Sequence, residues 1–181
     1  MPTSAFPDHT LESAPPAARR AMEAVSRKQG YLPSAVARLA SSPELLDGFL
    51  KISALFESTT LDPLSRETLI MTMAVRNECH VCVAMHSAKL TALDAAPEVL
   101  AALREQRVIP DERLEAIRQF TLSVIATAGA VDDGTLQVFL AHGYTTRNAL
   151  EVVLGIGAYT MSTLGNRMTG ASLDPQMAAF A

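Results

Sequence analysis

Apolar positions recur at helical spacing along almost the whole chain, and runs of strictly alternating β-branched residues are missing. The pattern predicts an all-α fold, a single-domain multi-helix bundle. Residues 1–16 are rich in proline and read as an irregular arm, 17–165 as the helical domain, and 166–181 as a short loose tail. A first helix spans 17–29 and stops at Gly30. Pro33 restarts the chain, with Val36, Leu39 and Ala40 forming an apolar stripe. Ser41-Ser42-Pro43-Glu44 is a capped entry to a helix whose Leu45, Leu46, Phe49, Leu50 and Leu55 face inward. Asp62-Pro63 opens another helix, which carries Leu64, Glu67, Leu69, Ile70, Met71, Met73, Ala74 and Val75 and ends near Asn77, a residue that tolerates the left-handed conformation. Further helices are expected at 78–92, 97–105, 111–128, 133–142 (closed by Gly143) and 146–164.

No βαβ pattern is present, so a thioredoxin fold is excluded. Apolar residues make up 49% of the chain and charged residues 19%, an ordinary globular balance. Fifteen Lys and Arg against nineteen Asp and Glu give a net charge of -4, with no basic cluster and no Trp. Nucleic acid is therefore disfavoured as a partner. The most apolar stretch, 149–165, contains Glu151 and falls short of the roughly 18–20 apolar residues that cross a bilayer. It reads as a buried helix or a subunit contact. The arm has no apolar core of a secretory signal, which makes a cytoplasmic location the default.

The chain has two cysteines, Cys79 and Cys82. A bridge between residues three apart closes almost no loop and stabilises little, and a reducing compartment opposes a purely structural one. Reactivity or metal binding explains the spacing better. On a helix with Cys79 at the origin, Cys82 lies at about 300° and His86 at about 340°, so the three side chains share one stripe. His86 is four residues from Cys82, the spacing of helical neighbours. Cys79 falls in the first turn, where free amides favour a thiolate. A thiol with a pKa of about 8.5 needs such help at neutral pH. A second thiol within reach converts an oxidised sulfur to a disulfide before it over-oxidises. Glu67, on the preceding helix, can orient the imidazole only if the fold brings it there.

The spacing Glu67-x11-Cys79-x2-Cys82-x3-His86 resembles the active-site motif of the AhpD-like alkylhydroperoxidase branch of the carboxymuconolactone decarboxylase family. Leu64-Ser65-Arg66-Glu67, Asn77, Ser42-Pro43-Glu44-Leu45-Leu46 and His142-Gly143-Tyr144 fit the same pattern, so the likeness covers roughly Gly30 to Gly165. It implies a thiol-dependent peroxidase. Glu67 and His86 draw the proton from Cys82, the Cys82 thiolate attacks the peroxide, and Cys79 resolves the sulfenic acid to a disulfide. A dithiol or lipoyl-bearing reductant restores both thiols. The resemblance implies no cofactor beyond that disulfide, no bound metal, and a homo-oligomer joined through helical faces, which suits 149–165. One departure stands out: relatives often carry an aromatic residue or histidine just before the second cysteine. Here that position is Val81, the extra histidine is His80, and His80 receives no role.

Other readings use the same residues. Both cysteines fit as small core side chains, and two thiolates, His86 and a carboxylate form a plausible tetrahedral zinc set. General disulfide exchange needs no further residues, and lactone decarboxylation needs no cysteine pair. A non-catalytic helical assembly is the remaining alternative. Met71, Met73 and Met85 read as core filler or pocket lining, His142 as a helix-end residue, and His9 carries no signal.

Overall fold

The computed structural model describes residues 5–181; the first four residues of the expected arm lie outside it. Nine α-helices follow in order among the described residues: α1 (Pro16–Gln29), α2 (Ser34–Leu39), α3 (Pro43–Glu57), α4 (Pro63–Arg76), α5 (His80–Ala92), α6 (Pro97–Arg104), α7 (Glu112–Ala126), α8 (Asp133–Ala141) and α9 (Thr146–Thr169). A 3₁₀ helix, Pro175–Phe180, ends the chain. No strand occurs among the described residues, so the fold is all-α as expected.

The starts follow from side chains that take up free amides at helix N-termini. Ser42 accepts from Leu45 N, Asp62 from Ser65 N, Asp111 from Leu114 N and Asp132 from Thr135 N. Thr145 and Asn148 form a reciprocal capping box at the start of α9.

Every residue from Glu67 to Ala74 on α4 is buried. A helix buried all round is the centre of a bundle, and α4 packs against α5, α6, α7 and α9. Its main core, with α3, α7, α8 and α9, gathers Phe56, Leu69, Ile70, Met73, Ile117, Phe120, Phe139, Val152 and Tyr159. Met71 faces the other side, among Leu90, Val99, Leu103 and Ile109. Met71 and Met73 are thus core residues. The His142 ring donates from Nδ1 to Val138 O at 2.8 Å, a local bond at the end of α8.

Four details differ from the sequence pattern. Leu55, expected to face inward, is 60% exposed. At the end of α4, Asn77 has φ -89° and Glu78 takes the left-handed conformation with φ 51°. The turn is closed by Cys79 N donating to Ala74 O and Glu78 N to Val75 O. Asn77 instead donates from Nδ2 to Thr163 Oγ1 at 2.8 Å, tying the turn to α9. Third, α9 runs through Gly165 to Thr169 and is closed by Gly170. Fourth, Asp174, just beyond α9, is buried and accepts from Ser34 N, and the 3₁₀ helix lies on α5.

Close approach explains two glycines of α9. A Cβ on Gly155 would sit 2.7 Å from the edge of the Phe56 ring and 2.9 Å from Leu69 Cδ2, and one on Gly165 would sit 2.7 Å from Leu39 Cδ2. Phe56 and Leu69 are fully buried and have nowhere to go. Gly155→Val is therefore expected to cost about 2–3 kcal/mol from overpacking, a fall of about 5–10 °C in Tm for a domain of this size. Gly48→Ala, where the added carbon meets nothing within 4 Å, should be neutral or gain up to about 1 kcal/mol. Equal Tm values for the two variants in thermal melts would contradict the packing at Gly155.

Candidate active site

The tight turn between α4 and α5 makes Cys79 the N-cap of α5 and puts Cys82 in its first turn. Both are free thiols, buried, with their sulfurs 3.0 Å apart. His86 follows one turn later, 3% exposed, and its Nδ1 lies 2.6 Å from Oε2 of Glu67, itself 8% exposed. The fold thus brings the α4 carboxylate onto the α5 imidazole. With Glu67 accepting the Nδ1 proton, the other ring nitrogen is left for chemistry.

Among the described residues, neither sulfur is hydrogen-bonded to the histidine. Cys82 Sγ has hydrogen-bonding neighbours in Cys79, in Asn166 Nδ2 at 3.3 Å and in Ser162 Oγ at 3.8 Å. Cys82 and His86 meet instead across a shared space, a cavity of about 270 Å³ between α1, α2, α3, α5 and α9. Its apolar lining includes Val36, Leu39, Phe49, Leu50, Met85 and Tyr159, and its polar lining includes Cys82, His86, Ser162 and Asn166, with the charged Lys28, Glu57 and Lys89 also in the wall. Cys79 and Glu67 are not in the wall: one lies behind Cys82, the other behind His86. His80 is exposed and borders a different surface hollow, with Glu78 and Arg104.

Charge in the site is set by hydrogen bonds and burial together. The Cys79 thiol is pulled down to about 7, first by the hydrogen bond with Cys82 and then by the Cys82 and Val81 amides at the start of α5, against the effect of burial. Cys82 is pushed up, by the same bond to Cys79 and by burial. The pair therefore loses one proton readily and resists losing the second. Burial pushes the Glu67 carboxyl up, but His86 and then Lys89 outweigh it and hold it below the usual carboxylate range. Lys89 Nζ stands 3.6 Å from Glu67 Oε1 and 3.7 Å from Glu57 Oε1.

Four contributors lie outside the sequence motif: Lys89 beside Glu67, Ser162 and Asn166 on Cys82, and Tyr159. The Tyr159 ring packs edge-on against His86 at 5.4 Å and an interplanar angle of 85°. The i, i+3, i+7 spacing of 159, 162 and 166 places them on one face of α9, a signal that gains meaning only once α9 is known to lie on α4 and α5. Among the described residues, no three His, Cys, Asp or Glu side chains are gathered so as to hold a metal ion, so the zinc reading lacks a ligand set.

An all-helical bundle that buries a dithiol beside a cavity, with a carboxylate-held histidine in the same wall, is the class these features define. Residues 43–123 match the model of the carboxymuconolactone decarboxylase family. The matched segment carries the whole Glu67, Cys79, Cys82 and His86 set, and the fold is that of the AhpD core. An uncharacterized peroxidase-related protein from Ralstonia eutropha, described as an alkylhydroperoxidase AhpD core, superposes with a TM-score of 0.83 at 23% identity, over 98% of this chain and 95% of its own. A peroxidase-related protein from a Silicibacter species gives 0.80 at 20% identity, over 97% and 94%. The debrominase Bmp8, as a cysteine-to-alanine variant in complex with 2,3,4-tribromopyrrole, gives 0.76 at 14% identity, over 99% and 96%. None of the curated proteins compared matches the sequence. No helix among the described residues is long and apolar enough to cross a membrane.

Proposed function

We propose that this chain is a thiol-dependent peroxidase that reduces hydroperoxides through a Cys79–Cys82 dithiol–disulfide cycle. One observation carries the reading: Cys82 meets the cavity with a second thiol 3.0 Å behind it, and the histidine in the same wall is fixed by a buried carboxylate. A hydroperoxide entering the cavity meets Cys82 and not Cys79, so Cys82 is the attacking sulfur. The resting charge favours Cys79, and the shared S–H···S bond lets the proton cross so that Cys82 becomes the thiolate. His86 first takes the proton that the dithiol loses. The thiolate then attacks the terminal oxygen of ROOH, the O–O bond breaks, Cys82 becomes a sulfenic acid, and RO⁻ leaves as ROH with that proton from His86. Cys79 then attacks the Cys82 sulfur, the S–O bond breaks, and the departing hydroxide takes the proton that Cys79 had received from Cys82, leaving the disulfide and water. Glu67 holds the ring and balances its charge when protonated. An external dithiol, free or lipoyl-bearing, attacks the disulfide and is itself oxidised to a disulfide.

The test is consumption of cumene hydroperoxide with dihydrolipoamide as donor, followed by thiol counting and peptide mapping. One peroxide should be consumed for every two thiols lost, with the disulfide at Cys79–Cys82. Thiols that survive excess peroxide, or turnover of a carboxymuconolactone by protein lacking both cysteines, would overturn the assignment.

The chain also works as a homo-oligomer in this reading. Leu150, Val153, Leu164 and Met168 are all at least half exposed along the outer face of α9, an apolar stripe of the kind that marks an interface. Leu150→Glu with Leu164→Glu is expected to lower the assembly state in sedimentation velocity. A monomeric native chain would refute the assembly.

A further inference from the structure

We infer that Asn166 is a catalytic residue of the dithiol centre, its carboxamide N–H stabilising negative charge on the cysteine pair in both halves of the cycle. The inference rests on the thiol chemistry proposed above but not on the identity of the oxidant. Asn166 lies more than forty residues beyond the family-matched segment 43–123, and nothing in the Glu–Cys–Cys–His motif points to it.

Three features separate this side chain from a structural asparagine. Its Nδ2 is 3.3 Å from Cys82 Sγ, a hydrogen-bonding distance for sulfur, and its other contact, Ser162 Oγ at 3.5 Å, is on its own helix one turn away. Its Oδ1 is buried with no hydrogen-bond partner among the described residues, a costly arrangement that an apolar residue of the same size would avoid. And the side chain takes no part in ending α9, which is closed by backbone bonds from Gly170 and Ala171. The amide is aimed at sulfur at the expense of its own oxygen. The same amide also favours the thiolate of Cys79, so it serves whichever sulfur carries the charge.

Its place in the chemistry follows. Before peroxide attack, the N–H donates to the Cys82 thiolate and steadies the nucleophile in the cavity wall. In the return half, a donor thiolate attacks one sulfur of the disulfide, the S–S bond breaks, and its electron pair leaves on the other sulfur as a thiolate. The amide lowers the energy of that leaving group, and a better-stabilised thiolate leaves faster. Ser162 Oγ, at 3.8 Å, is a second and longer contact.

The readout is the pH dependence of iodoacetamide alkylation of the reduced protein, with thiolate absorbance at 240 nm, neither of which needs a peroxide. In Asn166→Leu the apparent pKa of the first thiol should rise by about one unit, which cuts the thiolate fraction and the alkylation rate near neutral pH by about fivefold. Disulfide reduction by dihydrolipoamide should slow by a similar factor. Asn166→His, which keeps a ring N–H donor, should recover part of the loss. Thermal melts check folding, and Leu is expected to be tolerated because it removes the orphan acceptor. Should Leu fail to fold, isosteric Asn166→Asp replaces it, and a carboxylate beside the sulfurs should slow alkylation further. A folded Leu or Asp variant with the native alkylation profile overturns the inference. A peroxide-inert native protein whose alkylation shifts as stated would leave Asn166 in place and remove the peroxidase reading alone.

Discussion

Cys82→Ser is expected to abolish dithiol-dependent peroxide consumption, with a loss of about 10³-fold or more, while Cys79→Ser stops the cycle after one turnover. A hydroxyl does not ionise usefully near neutrality, so serine in the cavity wall leaves no nucleophile. Removing Cys79 has a different consequence. Cys82 still meets the cavity, still has Asn166 and Ser162 beside it, and loses the neighbour that pushes its thiol up. Its thiol should therefore titrate lower in Cys79→Ser than in the native chain. Cys79→Ser should then reduce one equivalent of peroxide and accumulate a sulfenic acid at Cys82, trapped by dimedone and located by mass spectrometry. Steady-state turnover is lost in both variants, so the single-turnover burst separates them. A burst in Cys82→Ser and none in Cys79→Ser would reverse the roles and make the charge-favoured sulfur at the helix start the attacking one.

Much of this was legible in the chain before any coordinates. The helix starts carry their own chemistry: Ser42-Pro43, Asp62-Pro63 and Asp111 each supply an oxygen to a free amide, and the structure begins helices there. The period of 3.6 residues per turn predicts a common stripe for Cys79, Cys82 and His86. In the structure Cys82 and His86 line one cavity, whereas Cys79 is the N-cap of α5 and stays out of that wall. What escaped is instructive. Gly165 reads as a stop in a linear pattern, but in the bundle it is where α9 passes the tip of Leu39 with no room for a Cβ, and the helix continues. Asn77 reads as the left-handed residue closing α4. Its side chain is used to bind Thr163, and Glu78 takes the strained conformation instead. Leu55 follows the apolar spacing of α3 yet faces out.

The candidate site divides the same way. Its α5 half is local and readable, whereas its α9 half depends on a helix eighty residues later packing across α4 and α5. Tyr159, Ser162 and Asn166 share a helical face, but that spacing points to function only once α9 is placed beside the dithiol. Glu67 stands between the two: the motif named it, but only the packing of α4 on α5 puts its carboxylate 2.6 Å from the ring. The arrangement has a physical logic in depth. The groups that meet the cavity, Cys82 and His86, are each backed by a buried partner that sets their charge, Cys79 for the sulfur and Glu67 for the imidazole.

Glu67→Gln should therefore have the second largest effect on turnover. Glutamine preserves the shape and an acceptor for the Nδ1 proton but removes the negative charge that balances the protonated ring. Peroxide reduction is expected to slow by about 10²-fold, within the range for a supported acid–base group, while alkylation of the thiols changes little because Glu67 does not touch them. Stability should carry a pH signature. Burial favours the neutral acid, yet His86 and Lys89 hold the Glu67 pKa below its ordinary value of 4.5. A carboxyl whose pKa is lower in the folded chain than in the unfolded one stabilises the fold above its unfolded value, and that contribution is lost as pH falls through the folded value. The charge-dependent part of the Tm gap between native protein and Glu67→Gln should be at full size near neutrality and shrink below about pH 4.5. Lys89→Met, which removes one of the two groups holding the carboxylate, should move that loss to higher pH. A Tm gap that stays constant from pH 7 to pH 3, with peroxide reduction unchanged, would mean that the buried charge serves neither the fold nor the histidine.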